Sequence, residues 1–253
     1  MMFDDLQILI PSRSRARSQK TIWNISENLW PNLSIVVPSE QYEDYRTAIP
    51  KDIGVMPCDG IGNCATRHFM LHTKETGKLI TFDDDLTFYR RIADGTKFER
   101  IFGKDTETMV EVILAYLDDY VFVGLVDKFM SQHTPRRHKE CARFNEVYGY
   151  NRDTLPVPWP EFRVPHEEEH DFHLQLLTRG HKTAVITEYS KGQRTWAPGG
   201  CADWRKTEIF EKAYNQMAQL WPGIVSFGGK PTDFMPYRIR YNWERAKQQG
   251  GIT

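Results

Sequence analysis

The sequence predicts an α/β domain in which helices flank a central sheet of mostly parallel strands. Short apolar runs alternate along the chain with segments whose apolar residues recur at helical spacing, which is typical of parallel sheets. The apolar runs are expected to be buried on both faces, as strands of a parallel sheet are. The 253 residues suffice for one large domain or two small ones, and we predict a single domain.

Each predicted strand is a short apolar run that stops at a turn residue or at charges. The first run stops at Pro11, and the third stops at the aspartate triplet Asp83, Asp84 and Asp85. The predicted strands are residues 6–10, 33–37, 79–82, 121–126 and 184–186.

The predicted helices show apolar residues on one face. The first is expected to begin near Ser18, with Ile22, Ile25 and Leu29 on its inner face. The helix over residues 167–179 has an acidic first turn, where the helix dipole favours negative charge. The other predicted helices are residues 41–46, 65–73, 108–120 and 204–220.

The composition limits the class of protein. Lys and Arg number 33 against 34 for Asp and Glu, so the overall charge gives no argument for a polyanionic partner, and any such contact must be local. The four cysteines are far apart in sequence, which is neither a disulfide framework nor a zinc motif. No stretch approaches the roughly twenty apolar residues of a membrane span, and no leader pattern is visible, so we expect a cytoplasmic protein.

The aspartate triplet is the strongest indication of function. Adjacent carboxylates raise one another's pKa unless a metal or a basic partner neutralises them. Oxygen ligands suit Mg²⁺ or Mn²⁺, which commonly sit between carboxylates and substrate phosphates. Asp83 and Asp85 are separated by one residue and could both reach one ion. The alternative is an acidic turn in solvent, which is common in proteins.

Three further motifs accompany the triplet along the chain. A Pro-Ser-Arg turn, Pro11-Ser12-Arg13, follows the first strand. A basic helix with small residues at its start, residues 62–68, precedes the central strand. An acidic group at residues 168–171 opens a Leu-rich helix that stops at Gly180. In parallel sheets ligands bind beyond the carboxyl ends of strands, so the first turn and the triplet should face one crevice.

Together these motifs resemble the GT-A glycosyltransferases, and the resemblance covers about three quarters of the chain. It implies a single GT-A, Rossmann-like domain. Its nucleotide-sugar half would span about residues 1–90 and its acceptor half about 91–222, followed by a C-terminal extension over 223–253. It also implies a nucleotide-sugar donor and a divalent metal, Mn²⁺ or Mg²⁺. The nucleotide sugar would contact Pro11, Ser12, Arg13, Arg15, Arg67 and Asp84.

The same resemblance implies roles for the remaining acidic residues. Asp83 and Asp85 would hold the metal, and Arg67 would pair with the diphosphate, for which its planar fork is suited. Glu169 would accept the acceptor's proton in an inverting reaction or position a substrate in a retaining one, with Asp171 as a second catalytic carboxylate. Many GT-A members carry Asp where this chain has Glu169, so the carboxylate here has a longer reach.

A narrower resemblance lies in residues 196–207, followed by Leu220-Trp221-Pro222. These residues are similar to the phage-encoded TET/JBP-associated glycosyltransferases. That family implies a UDP-sugar donor, a hydroxymethylpyrimidine such as hydroxymethylcytosine in phage DNA as acceptor, and the cytoplasm of the infected host. The acceptor side would then comprise Arg136, Arg137, Lys139, Trp196, Gly199 and Gly200.

Two other functions fit the same residues. The first is a glycosyltransferase that acts on a surface glycan or a protein. The second is a non-catalytic module that binds nucleotide sugar or nucleic acid. The sequence leaves open which sugar is transferred, the stereochemistry and the oligomeric state.

Overall fold

The computed structural model describes residues 3, 5–60, 62–92, 95, 97–130, 137–193, 207–228 and 238–252. Within them, the strands are β1 (Leu6–Pro11), β2 (Leu33–Pro38), β3 (Gly54–Cys58), β4 (Lys78–Phe82), β5 (Leu86–Arg91), β6 (Phe98–Ile101), β7 (Phe122–Asp127), β8 (His138–Glu140), β9 (Val147–Asn151), β10 (Thr183–Gln193), β11 (Val225–Gly228) and β12 (Arg238–Tyr241). The α-helices are α1 (Thr21–Asn24), α2 (Tyr42–Ala48), α3 (Asn63–Leu71), α4 (Asp105–Asp119), α5 (Glu168–Thr178), α6 (Thr207–Leu220) and α7 (Trp243–Gln249). Short 3₁₀ helices cover Glu27–Asn32, Ser39–Gln41 and Lys128–Met130.

The first ten strands form one sheet in the order β3-β2-β1-β4-β9-β7-β10-β5-β6, with β8 beside the first half of β10. Strands β1 to β4 pair in parallel, as do β7 and β10, whereas β9 runs antiparallel between β4 and β7. The predicted α/β fold with a mostly parallel sheet is confirmed. Sequence periodicity missed β9, whose five residues are all buried.

The parallel strands are apolar because both faces of the sheet are covered. Ile8 and Ile10 point to one core cluster, and Leu9 between them points to the other, as the two-residue period of a strand requires. Helix α4 packs on the first face and α5 on the second. This packing fixes the carboxyl ends of the parallel strands, and therefore the residues that follow them, on one side of the sheet.

The prediction of a single helix that begins near Ser18 is wrong. Helix α1 ends at Asn24, and Ile25 has extended backbone dihedral angles. The Ser26 hydroxyl then accepts a hydrogen bond from the Asn28 N–H and caps a separate 3₁₀ helix. That helix contains Pro31, which has no N–H to donate. The apolar spacing still placed the expected side chains in the core, because Ile22, Ile25 and Leu29 are buried.

The C-terminal residues pack against the second half of the domain. Strands β11 and β12 form a small antiparallel sheet, and α7 contacts α5. Trp221, Ala246 and Ile252 share a core cluster with Leu174 and Leu177 of α5. The residues expected to form an extension therefore buttress helix α5. None of the described helices combines the length and apolar character of a membrane-crossing segment.

Candidate active site

A cavity of about 340 Å³ lies at the carboxyl edge of the sheet, a size within the usual range for small-molecule sites. Segments that are distant in sequence form its wall: the ends of β1, β2 and β10, the start of α3, the turn after β4 and the residues before α5. Seven of the expected site residues line this cavity, namely Pro11, Ser12, Arg13, Arg15, Arg67, Asp83 and Asp84. The crevice predicted for the strand ends is therefore present.

The turn after β1 is tied to the aspartate triplet by a buried network. The Ser12 hydroxyl donates to the Asp84 carboxylate and is itself bonded to the Tyr45 hydroxyl at 2.7 Å. Gln19 donates to the same Ser12 oxygen at 2.7 Å. Burial raises the pKa of Asp84, and the Ser12 and Arg15 hydrogen bonds oppose that rise.

Arg15 neutralises two adjacent carboxylates. Its guanidinium lies 2.5 Å from an Asp84 oxygen and 3.1 Å from an Asp85 oxygen, and its side chain is 11% exposed. Without this cation, two buried negative charges would repel each other. Asp85 also accepts a hydrogen bond from Gln193 at the end of β10, a residue that sequence reasoning did not place in the site.

Helix α3 brings a second arginine to the triplet. Arg67 is buried, lies 2.8 Å from an Asp83 oxygen and packs over the Tyr148 ring. The helix begins after Gly62, whose φ of 86° lies in the region that favours glycine. Burial lowers the pKa of Arg67, but nearby negative charge, led by Asp83, raises it by more. Arg67 therefore remains a cation at the cavity wall.

The triplet fits a hard divalent cation. Asp83 has the most open side chain of the three, 26% exposed, whereas that of Asp85 is 4% exposed. A carboxylate offers about four lone-pair positions, so the bonds from Arg15 and Gln193 leave positions on Asp85. No cluster of three or more His, Cys, Asp or Glu side chains in the described segments is arranged for a metal. Mg²⁺ does not require a cluster of three such side chains, because substrate phosphates and water can complete its coordination.

The start of α5 places an acidic pair beside Arg67. Glu168 is buried, and one of its carboxylate oxygens has no hydrogen bond from any described residue. The side chain of Glu169 is 16% exposed. Burial raises the pKa of Glu169 to about 8, the Glu168 and Glu167 carboxylates add to the rise, and His170 opposes it. A carboxylate with a pKa near neutrality is suited to accept a proton.

A series of side-chain hydrogen bonds supports the N-terminal end of α5. The Arg143 Nε–H can only donate, so His170 Nε2, at 3.0 Å, is the acceptor. His170 Nδ1 then donates to Glu167 at 2.7 Å. Glu167 also accepts from the Tyr241 hydroxyl of β12. The C-terminal residues are thus bonded directly to the turn that carries Glu169.

Asp171, for which the resemblance implies a role as a second catalytic carboxylate, lies in a buried hydrogen-bonded cluster. Its side chain is fully buried, and its two oxygens accept from Arg163 at 2.9 and 2.6 Å. Trp221 Nε1 and Gln175 Nε2 donate to the same carboxylate. With these donors around it and no access to the cavity, Asp171 anchors α5 to the C-terminal half of the domain.

The expected acceptor residues lie elsewhere or outside the described residues. Arg137 and Lys139 lie at β8 and line a second, larger groove rather than the cavity. The reason is that β8 pairs with the first half of β10, whereas the cavity adjoins the carboxyl end of that strand. Arg136, Trp196, Gly199 and Gly200 fall outside the described residues.

A buried lysine near the triplet was missed by sequence reasoning. Lys191 of β10 is fully buried and contacts Asp127, Asn145 and Glu146. The Glu146 carbonyl accepts the N–H of Asp83, which places this cluster next to the triplet. Asp127 ends β7 as Asp83 follows β4, so the rule that identified the triplet would have found Asp127. Lys191 sits inside an apolar strand and had no such indication.

These features define the class: the chain has the GT-A fold of nucleotide-sugar glycosyltransferases, with a cavity at the carboxyl ends of its parallel strands. The sequence matches the TET-associated glycosyltransferase family over residues 6–200. Because this match covers more than half of the chain, the protein belongs to that family and is a glycosyltransferase. No curated protein matches the sequence closely enough to count as a relative.

Solved structures with a similar fold include glucosyl-3-phosphoglycerate synthase from Mycobacterium tuberculosis. Its complex with Mg²⁺ and uridine diphosphate has a TM-score of 0.52 and 10% identity, covering 94% of this chain and 86% of that chain. Its complex with Mn²⁺, uridine diphosphate and phosphoglyceric acid has a TM-score of 0.51, 11% identity and the same coverages. S. aureus TarS 1–349 matches at a TM-score of 0.46 and 11% identity, covering 85% of this chain and 65% of that one. The likeness to the synthase, at TM-scores of 0.52 and 0.51, shows the fold.

Proposed function

We propose that the protein transfers a sugar from a UDP-sugar to the hydroxyl of a hydroxymethylpyrimidine in phage DNA, in the cytoplasm of the infected host. The observation that carries the donor side is the cavity lined by Ser12, Arg15, Arg67, Asp83 and Asp84, with Asp85 paired to Arg15 next to it. The support for a DNA acceptor is the protein's membership of the TET-associated glycosyltransferase family. Resemblance to that family implies hydroxylated pyrimidines in phage DNA as acceptors.

The donor would lie along the wall from β1 to α3. The nucleoside contacts Pro11, Ser12 and Arg13, and the ribose reaches Asp84. Asp83 and Asp85 would hold Mn²⁺ or Mg²⁺, which would supply positive charge to offset that of the diphosphate leaving group. Arg67, which is paired with Asp83, would also pair with diphosphate oxygens.

The acceptor hydroxyl would approach the start of α5. In the inverting form of the reaction its oxygen attacks the anomeric carbon, and the bond from that carbon to the diphosphate oxygen breaks. The nucleoside diphosphate leaves with the electron pair, and the hydroxyl proton passes to Glu169. One carboxylate oxygen of the adjacent Glu168 is buried and has no hydrogen bond from a described residue, which supports a polar partner at this place. The target base would be flipped out of the duplex to reach this position.

The test is direct product analysis. The protein is incubated with Mn²⁺, a panel of nucleotide sugars and DNA that contains either plain or hydroxymethylated pyrimidines, and the DNA is digested to nucleosides and weighed by mass spectrometry. A sugar-sized mass gain confined to hydroxymethylated DNA is expected. Donor hydrolysis with no nucleoside gain would overturn the DNA acceptor and favour a glycan or a protein instead.

Glu169→Gln separates catalysis from binding in this assay. Loss of a general base reduces turnover by about 10²–10⁴-fold, while donor binding stays unchanged because Glu169 does not line the donor cavity. Glu75→Gln, an exposed residue outside the cavity, is the matched control. Full activity of Glu169→Gln would remove Glu169 from the reaction, and the absence of turnover in every assay would favour a non-catalytic binding module.

A further inference from the structure

We propose that a second groove, distinct from the donor cavity, binds the phosphate backbone of duplex DNA beside the target nucleotide. This basic groove is defined by Arg137, Lys139, Arg240 and Lys247. The proposal rests on the proposed function for the identity of the acceptor. It adds the site that holds the rest of the acceptor chain.

The basic groove is a large open surface feature of about 1490 Å³. Residues of β8, β12 and α7 form much of its wall, and Tyr116 of α4 and Ser226 of β11 also line it. Lys139 lies on β8, and Arg137 comes directly before that strand. Arg240 comes from β12 and Lys247 from the last turn of α7. Its cations therefore surround the groove rather than clustering at one point.

Charge in the basic groove is positive against a nearly neutral protein. The chain as a whole carries a formal charge of −1, whereas the groove lining has four basic and two acidic side chains. One of the acidic pair, Glu140, accepts a hydrogen bond from Tyr120 and lies 3.9 Å from Lys182 outside the lining. A local excess of exposed Arg and Lys suits a polyanion, which they bind without reading its sequence.

Aromatic rings lie among these cations. Tyr241 and Trp243 stack with their ring centroids 5.2 Å apart, and both line the basic groove. The combination of cations with partly exposed aromatic faces favours a nucleic acid over an acidic peptide, because sugars and bases offer surfaces on which rings can pack.

The basic groove adjoins the catalytic helix. The Tyr241 hydroxyl donates to Glu167, two residues before Glu169, and the Arg143 guanidinium lies over the Tyr241 ring at 5.9 Å. One side of the turn before α5 contributes Pro165 and His166 to the donor cavity, and the same turn is bonded to the groove through Tyr241. DNA held in the groove would therefore pass next to the residues that meet a flipped nucleotide.

The test compares Arg137→Ala/Arg240→Ala with Lys51→Ala/Lys74→Ala, which removes two exposed charges outside both sites. The probe is a short fluorescein-labelled duplex with hydroxymethylated pyrimidines, and its anisotropy is followed over a range of salt. The groove variant is expected to bind about tenfold more weakly, with the slope of log Kd against log salt reduced by about 1.8 for two lost phosphate contacts. Acceptor-free UDP-sugar hydrolysis should stay unchanged.

The remaining outcomes decide between the two proposals. If the groove variant binds the duplex as tightly as its control, the proposal that the basic groove binds DNA is overturned. This holds even where product analysis supports DNA as the acceptor. Equal loss of binding to a polyglutamate peptide overturns the assignment to DNA. If DNA binding depends on the basic groove but no sugar is transferred to the DNA, the proposal that the groove binds DNA is supported. The proposal that DNA is the acceptor is then overturned. Arg137→Lys/Arg240→Lys retains both charges, so it should restore binding, and its failure to do so would contradict a phosphate contact.

Discussion

The donor cavity and the basic groove both present arginines, yet they use them in opposite ways. In the cavity, Arg15 and Arg67 are largely buried and paired with carboxylates before any ligand arrives. In the groove, Arg137, Lys139 and Arg240 are exposed. Buried, paired charges are held in place and are costly to disturb, whereas exposed charges attract a partner over a longer range and are screened by salt. The comparison indicates that the cavity is rigid and that the basic groove is more adaptable.

The largest effect is expected from breaking the buried cluster of the cavity. Arg15→Met leaves the Asp84 and Asp85 carboxylates adjacent and without their cation, so the free energy of unfolding should fall by about 3–5 kcal/mol. Denaturant unfolding measures this change, and the exposed Arg17→Ala serves as the control. An Arg15→Met protein as stable as Arg17→Ala would show that the cluster contributes little to folding.

A smaller effect is expected from pH at the edge of the cavity. Because the pKa of Glu169 is raised to about 8, the base is mostly protonated below that pH. We therefore expect kcat/KM to rise about tenfold per pH unit on approach to pH 8 and then to level off. Rates measured with constant metal and salt test this. A flat profile between pH 6 and pH 8 would exclude Glu169 as the titrating base.

The same pKa shift has a consequence for folding. A carboxyl group whose pKa is higher in the folded than in the unfolded protein favours the folded state at low pH. That contribution is complete below the unfolded value of about 4.5 and is lost as pH rises through about 8. Glu169→Gln cannot titrate, so its stability should decline less over this range than that of the unaltered protein.

The smallest effect is expected from a single charge of the basic groove. Lys247→Ala should weaken duplex binding about threefold at low salt and lower the salt slope by about 0.9, since one exposed phosphate contact is lost. UDP binding to the donor cavity, measured by calorimetry at the same salt concentrations, should not change. A loss of UDP affinity in Lys247→Ala would mean that the two regions are not independent.

Sequence reasoning succeeded where a residue's role follows from its position at a strand end. Ser12 and the aspartate triplet follow apolar strands, and the parallel arrangement brings those ends together. It did not show that Asp171, which has the local spacing of a catalytic carboxylate, is enclosed by Arg163 and Trp221. It also did not show that Arg137 and Lys139 line a groove separate from the cavity, because the partner of β8 was not visible in the local pattern.

The sequence by itself determined the fold class, the order of the motifs and the family, because burial and turn formation depend on near neighbours in the chain. Tertiary structure alone decided which polar side chains contact one another. Gln193 bonds Asp85 across 108 positions, and Tyr241 bonds Glu167 across 74. Such contacts depend on the order of strands in the sheet and on how helices pack across it. Residue spacing along the chain does not specify these distances, so the site's electrostatics emerged only with the fold.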